Sequence, residues 1–463
     1  MERFLKTNAN HDVLIVGSGP IGITAARRLA ECGLRVTVLE AGSAITEPPG
    51  SHYRNMARFQ LEPDSYFAAI DRFLRPITDD AKKGLPGVAD SSLLGGQGIL
   101  WTNNCPRAMD FERWETMAAD TWERKYAEAE RMLQVISDPA EQSKTGRNVA
   151  DRLQRALAKE GRCIRGLPLA GRVLESGGLY FNGPWDILEG AAPDVKERVQ
   201  IHDRVRVSRL HYVDRRVTRV ELEDPTSYRG CLDTPMLILA GGAVATPRLL
   251  HSSGIKPETL GRGFSFHALL FGQIVLSSGM CPSASVPDVA PRLRIPPTPK
   301  SPWHIQILRD TCPLPSSETV DNPHRLVEFQ AFLPVEFREK NGVVIAEDGS
   351  LYFQFSFSHN DRKRMGAMEA DVRRLAGNLG PWRRGCELAW LPHGSAHVVG
   401  TCSMDVHGRG GVADTHGRVH GFDNLYLATV GLIPTPVAVN PTLTAAALVL
   451  NTCDALTNRG KKT

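Results

Sequence analysis

The sequence predicts an α/β protein with a Rossmann-type, nucleotide-binding domain and an inserted α+β domain, an antiparallel sheet flanked by helices. Three observations lead to this prediction. Residues 12–40 have the order strand, glycine turn, helix and strand of one βαβ unit. Residues 236–254 show a second strand, glycine turn and helix. Residues 303–357 contain alternating apolar runs, which are typical of antiparallel strands.

The βαβ unit begins with a short apolar run. Asp12–Val16 (DVLIV) is rich in β-branched residues, as expected of a buried parallel strand. The glycine turn Gly17–Gly22 follows, and Ile23–Cys32 has a helical pattern. Arg35–Leu39 (RVTVL) is the second strand and ends at Glu40.

The glycine turn predicts a dinucleotide site. Gly17, Gly19 and Gly22 have the spacing G-x-G-x-x-G, which permits a tight turn, close approach of the backbone to a pyrophosphate and close helix–strand packing. The start of the helix supplies unpaired N–H groups for the phosphates. Glu40 can accept hydrogen bonds from ribose hydroxyls and would repel a 2′-phosphate, which argues against NADP. The motif alone leaves FAD and NAD open.

Further elements follow from hydrophobic patterning. Residues 47–90 show little periodicity and predict a surface excursion over a site. Seven prolines between Cys281 and Pro302 predict an irregular excursion, because helices and central strands do not hold that density. Residues 199–222 alternate like paired strands, and 236–239 read as a buried strand. Helices are predicted at Asp110–Val135, Gly146–Lys159, Asp361–Leu379 and Leu443–Leu456.

Composition excludes several classes of protein. The chain has 463 residues, of which 42% are hydrophobic and 23% charged, as in an ordinary globular protein. A net charge of +4 gives no argument for nucleic acid or an anionic membrane. No apolar run is long enough for a secretory signal or a membrane span. The nine cysteines are scattered and lack a CxxC pair, so we expect neither a disulfide framework nor a metal site, and we expect a cytoplasmic location.

Several separated motifs resemble the glucose-methanol-choline (GMC) family of FAD oxidoreductases. Residues 95–114 (GGQGILWTNNCPRAMDFERW) look like its flavin-contact loop, and 241–254 resemble its second signature. GRGFSFH, which ends at His267, resembles a family motif of structural character. HVVGTCSMD at His397 looks like the segment with the catalytic histidine, and NPTLT at Asn440 like the last flavin contact. Residues 427–435 (LATVGLIPT) are closest to the pyranose oxidase branch. Residues 270–390 show no family pattern.

The resemblance implies a Rossmann-type FAD-binding domain with an inserted α+β substrate domain. It assigns residues 1–50, 91–109, 146–272 and 393–463 to the FAD-binding domain, and 51–90, 110–145 and 273–392 to the substrate domain. It implies FAD contacts at Gly17, Gly19, Pro20, Ile21, Gly22, Glu40, Ala41, Gly95, Gly96, Trp101, Thr102, Asn103, Asn104, Val205, Ala240, Gly241, Thr429, Val430, Asn440, Pro441 and Thr442.

Leu100 stands where related sugar oxidases carry the histidine that bonds covalently to the flavin. We therefore expect non-covalent FAD. The aromatic residues of the alternating runs could form a wall on which a sugar stacks, although such a stripe is more typical of a core. They are Trp303, Phe329, Phe332, Tyr352, Phe353, Phe355 and Phe357.

The resemblance assigns the chemistry to His397 and Asn440. A neutral imidazole can accept the proton that an alcohol loses as its carbon gives up a hydride, and Asn440 can hydrogen-bond the developing alkoxide without titrating. His393, four residues earlier, is a lesser candidate.

The expected function is FAD-dependent oxidation of an alcohol on a sugar, aminocyclitol, glycoside or sugar-bearing natural product. Oxygen and another electron acceptor are both compatible with these residues, as is a non-sugar alcohol. An NAD-linked reductase or flavin hydroxylase should show a second nucleotide fingerprint, but residues 240–243 have only two adjacent glycines. A protein that keeps FAD only as structure would not need both His397 and Asn440. The sequence does not determine the oligomeric state.

Overall fold

The computed structural model describes residues 11–77, 85, 88–224, 229–310, 316, 318–346, 350–391, 397–406 and 410–459. Its strands are β1 Val13–Val16, β2 Val36–Leu39, β3 Leu74–Pro76, β4 Ala89–Ser91, β5 Val135–Ile136, β6 Arg165–Gly166, β7 Leu169–Val173, β8 Leu179–Phe181, β9 Val199–His202, β10 Arg206–Val213, β11 Arg216–Glu223, β12 Arg229–Asp233, β13 Leu237–Leu239, β14 His267–Val275, β15 Arg292–Ile295, β16 His304–Leu308, β17 Leu326–Pro334, β18 Gly342–Ile345, β19 Leu351–Gln354, β20 Ala389–Trp390 and β21 Leu425–Leu427. Its α-helices are α1 Pro20–Glu31, α2 Ala57–Leu61, α3 Ser65–Phe73, α4 Ala119–Leu133, α5 Lys144–Leu157, α6 Pro184–Glu189, α7 Pro193–Glu197, α8 Gly242–Ser252, α9 His359–Ala376 and α10 Thr442–Arg459.

A parallel five-stranded sheet has the order β21-β13-β1-β2-β9. Its central strands are buried, as the apolar runs predict, and β1 lies between β2 and β13. The strands come from residues 13 to 427, so widely separated segments of the chain build one sheet. The predicted Rossmann-type α/β class is confirmed.

Helices cover this sheet. The C-terminal helix α10 packs against α1 and α4. Lys125 of α4 is 1% exposed, and its Nζ lies 2.8 Å from Glu128 and 2.5 Å from Asp454 of α10. Asp454 also pairs with Arg28 of α1 at 2.7 Å. Buried charge thus connects three helices that are far apart in sequence.

The six-stranded antiparallel sheet has the order β20-β14-β17-β16-β15-β6. Its strands alternate strictly between two faces. One face is apolar and packs with residues of α5 and α9 in a single core, which includes Leu270, Leu293, Ile305, Ile307, Phe329 and Leu333. The opposite face, here called the polar face, carries Arg292, Arg294, His304, Gln306, Glu328 and Gln330.

The proline-rich segment before β16 contains a strand of the antiparallel sheet. The segment 281–302 is not wholly irregular, because β15 lies within it and pairs with both β16 and β6. Pro291 and Pro296 flank the strand, so its four residues keep the N–H groups that a sheet requires. The domain boundaries stay a prediction. They assign most of α5 to the FAD-binding domain, whereas α5 packs into the core beneath the antiparallel sheet.

The remaining predicted elements are found with shifted ends. The predicted helix at 110–135 begins only at Ala119, after a short 3₁₀ turn at Asp110–Glu112. Within 199–222, β10 and β11 pair as predicted, whereas β9 joins the parallel sheet. The excursion at 47–90 contains α2, α3, β3 and β4 and a small core of its own.

No helix in the described ranges is both long and apolar enough to cross a bilayer.

Candidate active site

One cavity of about 760 Å³ extends from the first glycine turn to the catalytic pair that the sequence predicts. Most of the predicted site residues line it, although they come from segments more than 400 residues apart. They are Gly17, Gly19, Pro20, Ile21, Glu40, Ala41, Gly96, Trp101, Thr102, Asn104, Val205, Ala240, Gly241, His397, Thr429, Val430, Asn440, Pro441 and Thr442.

Three predicted residues do not line this cavity and have structural roles beside it. A Cβ atom on Gly22 would lie 2.1 Å from the Gly17 carbonyl oxygen, so Gly22 permits the helix to pack on the turn. Gly95 has a φ of +94°, and its N–H donates to Ser18 Oγ. Asn103 also has a positive φ, and its Nδ2 donates to two backbone carbonyl groups at 2.7 Å.

The two glycine turns face each other and fit a pyrophosphate. A Cβ atom on Gly96 would lie 3.3 Å from Gly19 Cα, so backbone alone separates the turns. A Cβ atom on Gly19 would meet nothing within 4 Å, because that position faces open space. Gly19 also caps the N-terminus of α1, where unpaired N–H groups are available to phosphate oxygens.

Glu40 is buried at the end of β2 and helps to hold the glycine turn. Its Oε2 accepts hydrogen bonds from Ser18 N and Oγ, and its Oε1 accepts one from Gly42 N at 2.8 Å. Burial raises the pKa of this carboxyl group, and these hydrogen bonds partly oppose the shift. Because a carboxylate accepts about four hydrogen bonds, capacity remains for a ribose hydroxyl.

His397, Asn440 and His267 meet at the far end of the cavity. Asn440 Nδ2 lies 3.3 Å from His397 Nε2, and His397 Nδ1 lies 2.9 Å from His267 Nδ1. His267 Nε2 lies 2.6 Å from the carbonyl oxygen of Val437. The ring of Phe332 covers this group, with its centroid 5.5 Å from that of His397.

These contacts determine the tautomer of His397. The Val437 carbonyl can only accept, so Nε2 of His267 must carry a proton. In neutral His267, Nδ1 is then an acceptor, and Nδ1–H of His397 donates to it. Nε2 of neutral His397 therefore carries a lone pair that points towards Asn440 Nδ2.

Burial keeps both imidazoles neutral. It lowers the pKa of His267 to about 4. Burial also lowers the pKa of His397 well below its usual range, and a charge on neighbouring His267 would lower it further. The imidazole of His397 is therefore uncharged at neutral pH, with its proton on Nδ1 and Nε2 able to accept another.

Sequence reasoning missed two supporting residues. It assigned His267 to a structural motif, and its contact with His397 depends on a pairing across 130 residues. Glu112 is buried, and its Oε1 accepts a hydrogen bond of 2.6 Å from Ala438 N, which anchors the segment before Asn440. His393 lies outside the described residues.

The predicted aromatic wall is not a single feature. Phe332 alone of the seven lines this cavity. Phe329 and Phe353 lie in the core beneath the antiparallel sheet, and Tyr352 is 43% exposed. Alternation along β17 and β19 explains the split, since neighbouring residues of a strand face opposite sides.

Two family models match the chain. The model described as FAD dependent oxidoreductase matches residues 12–270, more than half of the sequence. The model described as GMC oxidoreductase matches residues 348–448, which include His397 and Asn440. The chain is an FAD-dependent oxidoreductase, and its C-terminal part matches the GMC oxidoreductase family. This assignment agrees with the glycine turns and with the histidine–asparagine pair at the end of the cavity.

Curated relatives resemble this oxidoreductase over almost its full length. A C-glycoside 3-oxidase from Microbacterium trichothecenolyticum is 28% identical, across 96% of this chain and 95% of the relative. A pyranose 2-oxidase from Emericella nidulans is 26% identical, across 97% and 93%. The crystal structure of a formate oxidase has the same fold, with a TM-score of 0.72 at 15% identity, covering 98% and 99% of the two chains.

Proposed function

We propose that this FAD-dependent oxidoreductase, which acts on CH–OH donors, oxidises a secondary or primary alcohol group of a sugar or glycoside, with His397 as the base. One observation carries the proposal. The cavity that fits FAD ends at a neutral imidazole whose Nε2 lone pair lies 3.3 Å from an amide donor. An alcohol oxidation needs this combination, a proton acceptor beside a donor for the developing alkoxide.

The chain's own residues handle the proton and the orientation of the alcohol. The substrate hydroxyl donates to Nε2 of His397 and accepts from Nδ2 of Asn440, in place of the direct contact between the two residues. His397 takes the proton at Nε2 while its Nδ1–H stays bonded to His267. Phe332 and the buried surroundings exclude water from the reacting hydroxyl. FAD, when bound, supplies the acceptor for the hydride that leaves the substrate carbon.

The substrate class is supported by the relatives and by the cavity wall. Both full-length relatives are named for oxidation of pyranoses or C-glycosides. Near the catalytic pair, Gln330 and Asn104 add neutral amide groups to the lining, and Phe332 offers an aromatic face. Amides beside an aromatic ring suit the hydroxyl groups and the apolar C–H surface of a sugar.

We further propose that FAD is held without a covalent bond. Leu100, at the position of the flavin-linked histidine in related sugar oxidases, is buried and lines the cavity, and its side chain has no nucleophile. Denaturation followed by filtration tests this. Yellow flavin in the filtrate is expected, whereas flavin retained with the protein contradicts the proposal.

The decisive experiment compares purified wild type with His397→Ala on a panel of sugars, glycosides and simple alcohols, with and without oxygen. Wild type should bleach its flavin with at least one sugar or glycoside. His397→Ala should bind flavin normally and react about 10²- to 10⁴-fold more slowly, as expected for loss of a general base. His416→Ala, at an exposed position, is the matched control. Equal rates in wild type and His397→Ala would refute the assignment.

A further inference from the structure

We propose that Gln306 is a positioning residue that fixes the side-chain amide of Asn440, and that Arg292 sets the direction of this contact through Asn104. The inference builds on the proposed roles of His397 and Asn440. Neither Gln306 nor Arg292 stands in a motif of the sequence. Gln306 and Arg292 belong to the polar face of the antiparallel sheet, behind the catalytic pair as seen from the cavity.

The four side chains form a continuous hydrogen-bonded chain, here called the amide relay. Arg292 Nη2 donates to Asn104 Oδ1 at 2.6 Å, and Asn104 Nδ2 donates to Gln306 Oε1 at 2.8 Å. Gln306 Nε2 donates to Asn440 Oδ1 at 2.5 Å. Arg292 and Gln306 are fully buried, and Asn104 and Asn440 are at most 5% exposed. Water therefore does not compete for these contacts.

The direction of the relay follows from the chemistry of its first member. A guanidinium group has donors only, so the atom of Asn104 that faces Arg292 must be the oxygen. Asn104 then presents its NH₂ group to Gln306, and Gln306 presents its own NH₂ group to Asn440. Asn440 must turn its oxygen towards Gln306, and its NH₂ group is left to face His397. One arginine thus determines the orientation of three amides.

Arg292 is itself held in place. Its Nη2 also donates to the Thr102 carbonyl at 2.8 Å, and its Nη1 lies 3.3 Å from Asp310 Oδ2. Asp310 forms a second, buried ion pair with Arg54. Replacing Asp310 would leave both Arg292 and Arg54 buried without their shared carboxylate, which is costly. The start of the relay is therefore rigid.

A second chain of hydrogen bonds ends at the contact between Asn440 and His397, on the side of His397. The Val437 carbonyl, His267 and His397 form hydrogen bonds that leave the Nε2 lone pair of His397 facing Asn440. The amide relay brings an N–H group to that lone pair. The two chains meet as donor and acceptor, so both members of the catalytic pair are set for a substrate hydroxyl before it binds.

The test variant is Gln306→Glu, which keeps the shape of the side chain. An ionised carboxylate can still accept from Asn104 but cannot donate to Asn440. Asn440 should then turn its NH₂ group towards the carboxylate and its oxygen towards His397. We expect kcat to fall about 10- to 100-fold at high pH, as for a misplaced catalytic group, with KM within about threefold of wild type.

The pH profile separates positioning from a merely structural role. A protonated carboxyl group can donate a hydrogen bond as the amide does. The kcat of Gln306→Glu, relative to wild type, should therefore recover as the pH falls through the pKa of the introduced carboxyl group. A deficit that is constant with pH, or no deficit, would overturn the proposal.

Gln273→Glu is the matched control. Gln273 lies on the same sheet, is 4% exposed and is not part of the relay. Its Oε1 accepts a hydrogen bond from Arg383, which a carboxylate also accepts. This variant should keep the kcat and the pH profile of wild type. If Gln306→Glu does not fold, Asn104→Asp tests the relay one step earlier. Arg292 keeps this carboxylate ionised, so it cannot donate to Gln306 Oε1, and kcat should fall while KM stays within about threefold of wild type.

A second readout needs no substrate. Histidine ¹⁵N chemical shifts of the flavin-bound protein report which ring nitrogen carries the proton. Wild-type His397 should show a single Nδ1–H tautomer, and Gln306→Glu at high pH should shift or broaden its signal. An Nε2–H tautomer in wild type would overturn the inference. If the protein oxidises no alcohol at all, the proposed function fails, whereas this measurement still decides whether the relay orders the pair.

Discussion

At the scale of single residues, buried imidazoles connect function to stability. His52 is fully buried, its Nε2 bonds to the Trp101 carbonyl, and its Nδ1 accepts from Arg54 N. Burial, with a smaller contribution from the charge of Arg54, lowers its pKa to about 3. His267 and His397 are neutral for the same main reason. The fold therefore excludes a protonated histidine at each of these positions.

The first prediction concerns pH and His52. In the unfolded chain a histidine takes up a proton near pH 6.5, whereas folded His52 does so only near pH 3. Between these pH values only the unfolded state binds the proton. The free energy of unfolding therefore falls by about 1.4 kcal/mol for each unit by which the pH drops from 6.5 towards 3. Between pH 6.5 and 5, wild type should lose about 2 kcal/mol more than His52→Gln, as measured by urea unfolding at both pH values. Equal losses would contradict it.

Sequence reasoning found some residues of the site and missed others for a physical reason. His397 and Asn440 stand in motifs and could be predicted. Gln306 lies in WHIQIL, an apolar run whose alternation already places His304 and Gln306 on one face. That pattern does not tell which partner the face meets, since the contact with Asn440 spans 134 residues.

At the scale of elements, the glycine turn before α1 separates packing from binding. Gly22 is pressed against the Gly17 carbonyl, whereas Gly19 faces the open cavity. Both are glycines of one motif, which serves close helix–strand packing as well as the approach of a pyrophosphate, and the family resemblance implies that both contact FAD. The local geometry assigns Gly22 to the packing of the helix and Gly19 to the ligand-facing side of the turn.

The second prediction compares alanine at these two positions. Gly22→Ala should lower the free energy of unfolding by more than about 2 kcal/mol, because its methyl group has no space beside backbone. Gly19→Ala should unfold like wild type and bind FAD at least about tenfold more weakly, because its methyl group enters the pyrophosphate cleft. Chemical unfolding of the apoprotein and flavin titration measure the two effects. The same loss of stability in both variants would contradict the assignment.

Elements were predicted best where the pattern is local. The βαβ unit at the N-terminus and the alternating strands β16 and β17 follow from hydrophobic periodicity. Strand β15 was missed because the prolines around it outweighed the four residues between them. Its place in the sheet depends on pairing with β16 and β6, which no local pattern encodes.

At the scale of the whole molecule, the parallel sheet depends on both ends of the chain. Strands β1 and β21 are separated by about 400 residues, and α10 closes the core between α1 and α4. The cavity assigned to FAD is lined by residues of the same sheet, among them Val16, Leu39 and Leu239. We therefore expect loss of the C-terminal packing to release the flavin and to unfold the sheet in one transition.

The third prediction tests this coupling at Lys125. Lys125→Met removes a buried ammonium group from between Glu128 and Asp454 and leaves those carboxylates without it. The free energy of unfolding should fall by about 3 kcal/mol. The midpoints for flavin release and for loss of helix should shift together, as followed by flavin fluorescence and circular dichroism. Lys196→Met, which removes an exposed pair with Glu189, should change little. Separate midpoints in Lys125→Met would contradict the coupling.

The division of the antiparallel sheet into an apolar and a polar face has a consequence for which substitutions can change the specificity of the enzyme. Neighbouring positions of the same strand face different surroundings, the core on one side and the polar face on the other. Exchanges at the inward apolar positions are limited by packing, whereas an exchange at Gln330, which lies on the polar face and lines the cavity, would alter the surface offered to a substrate. A change of specificity at the cavity-lining positions of β17 therefore need not disturb the packing of the core beneath the sheet. The alternation of a β-strand thus separates the positions that can change specificity from those that hold the core.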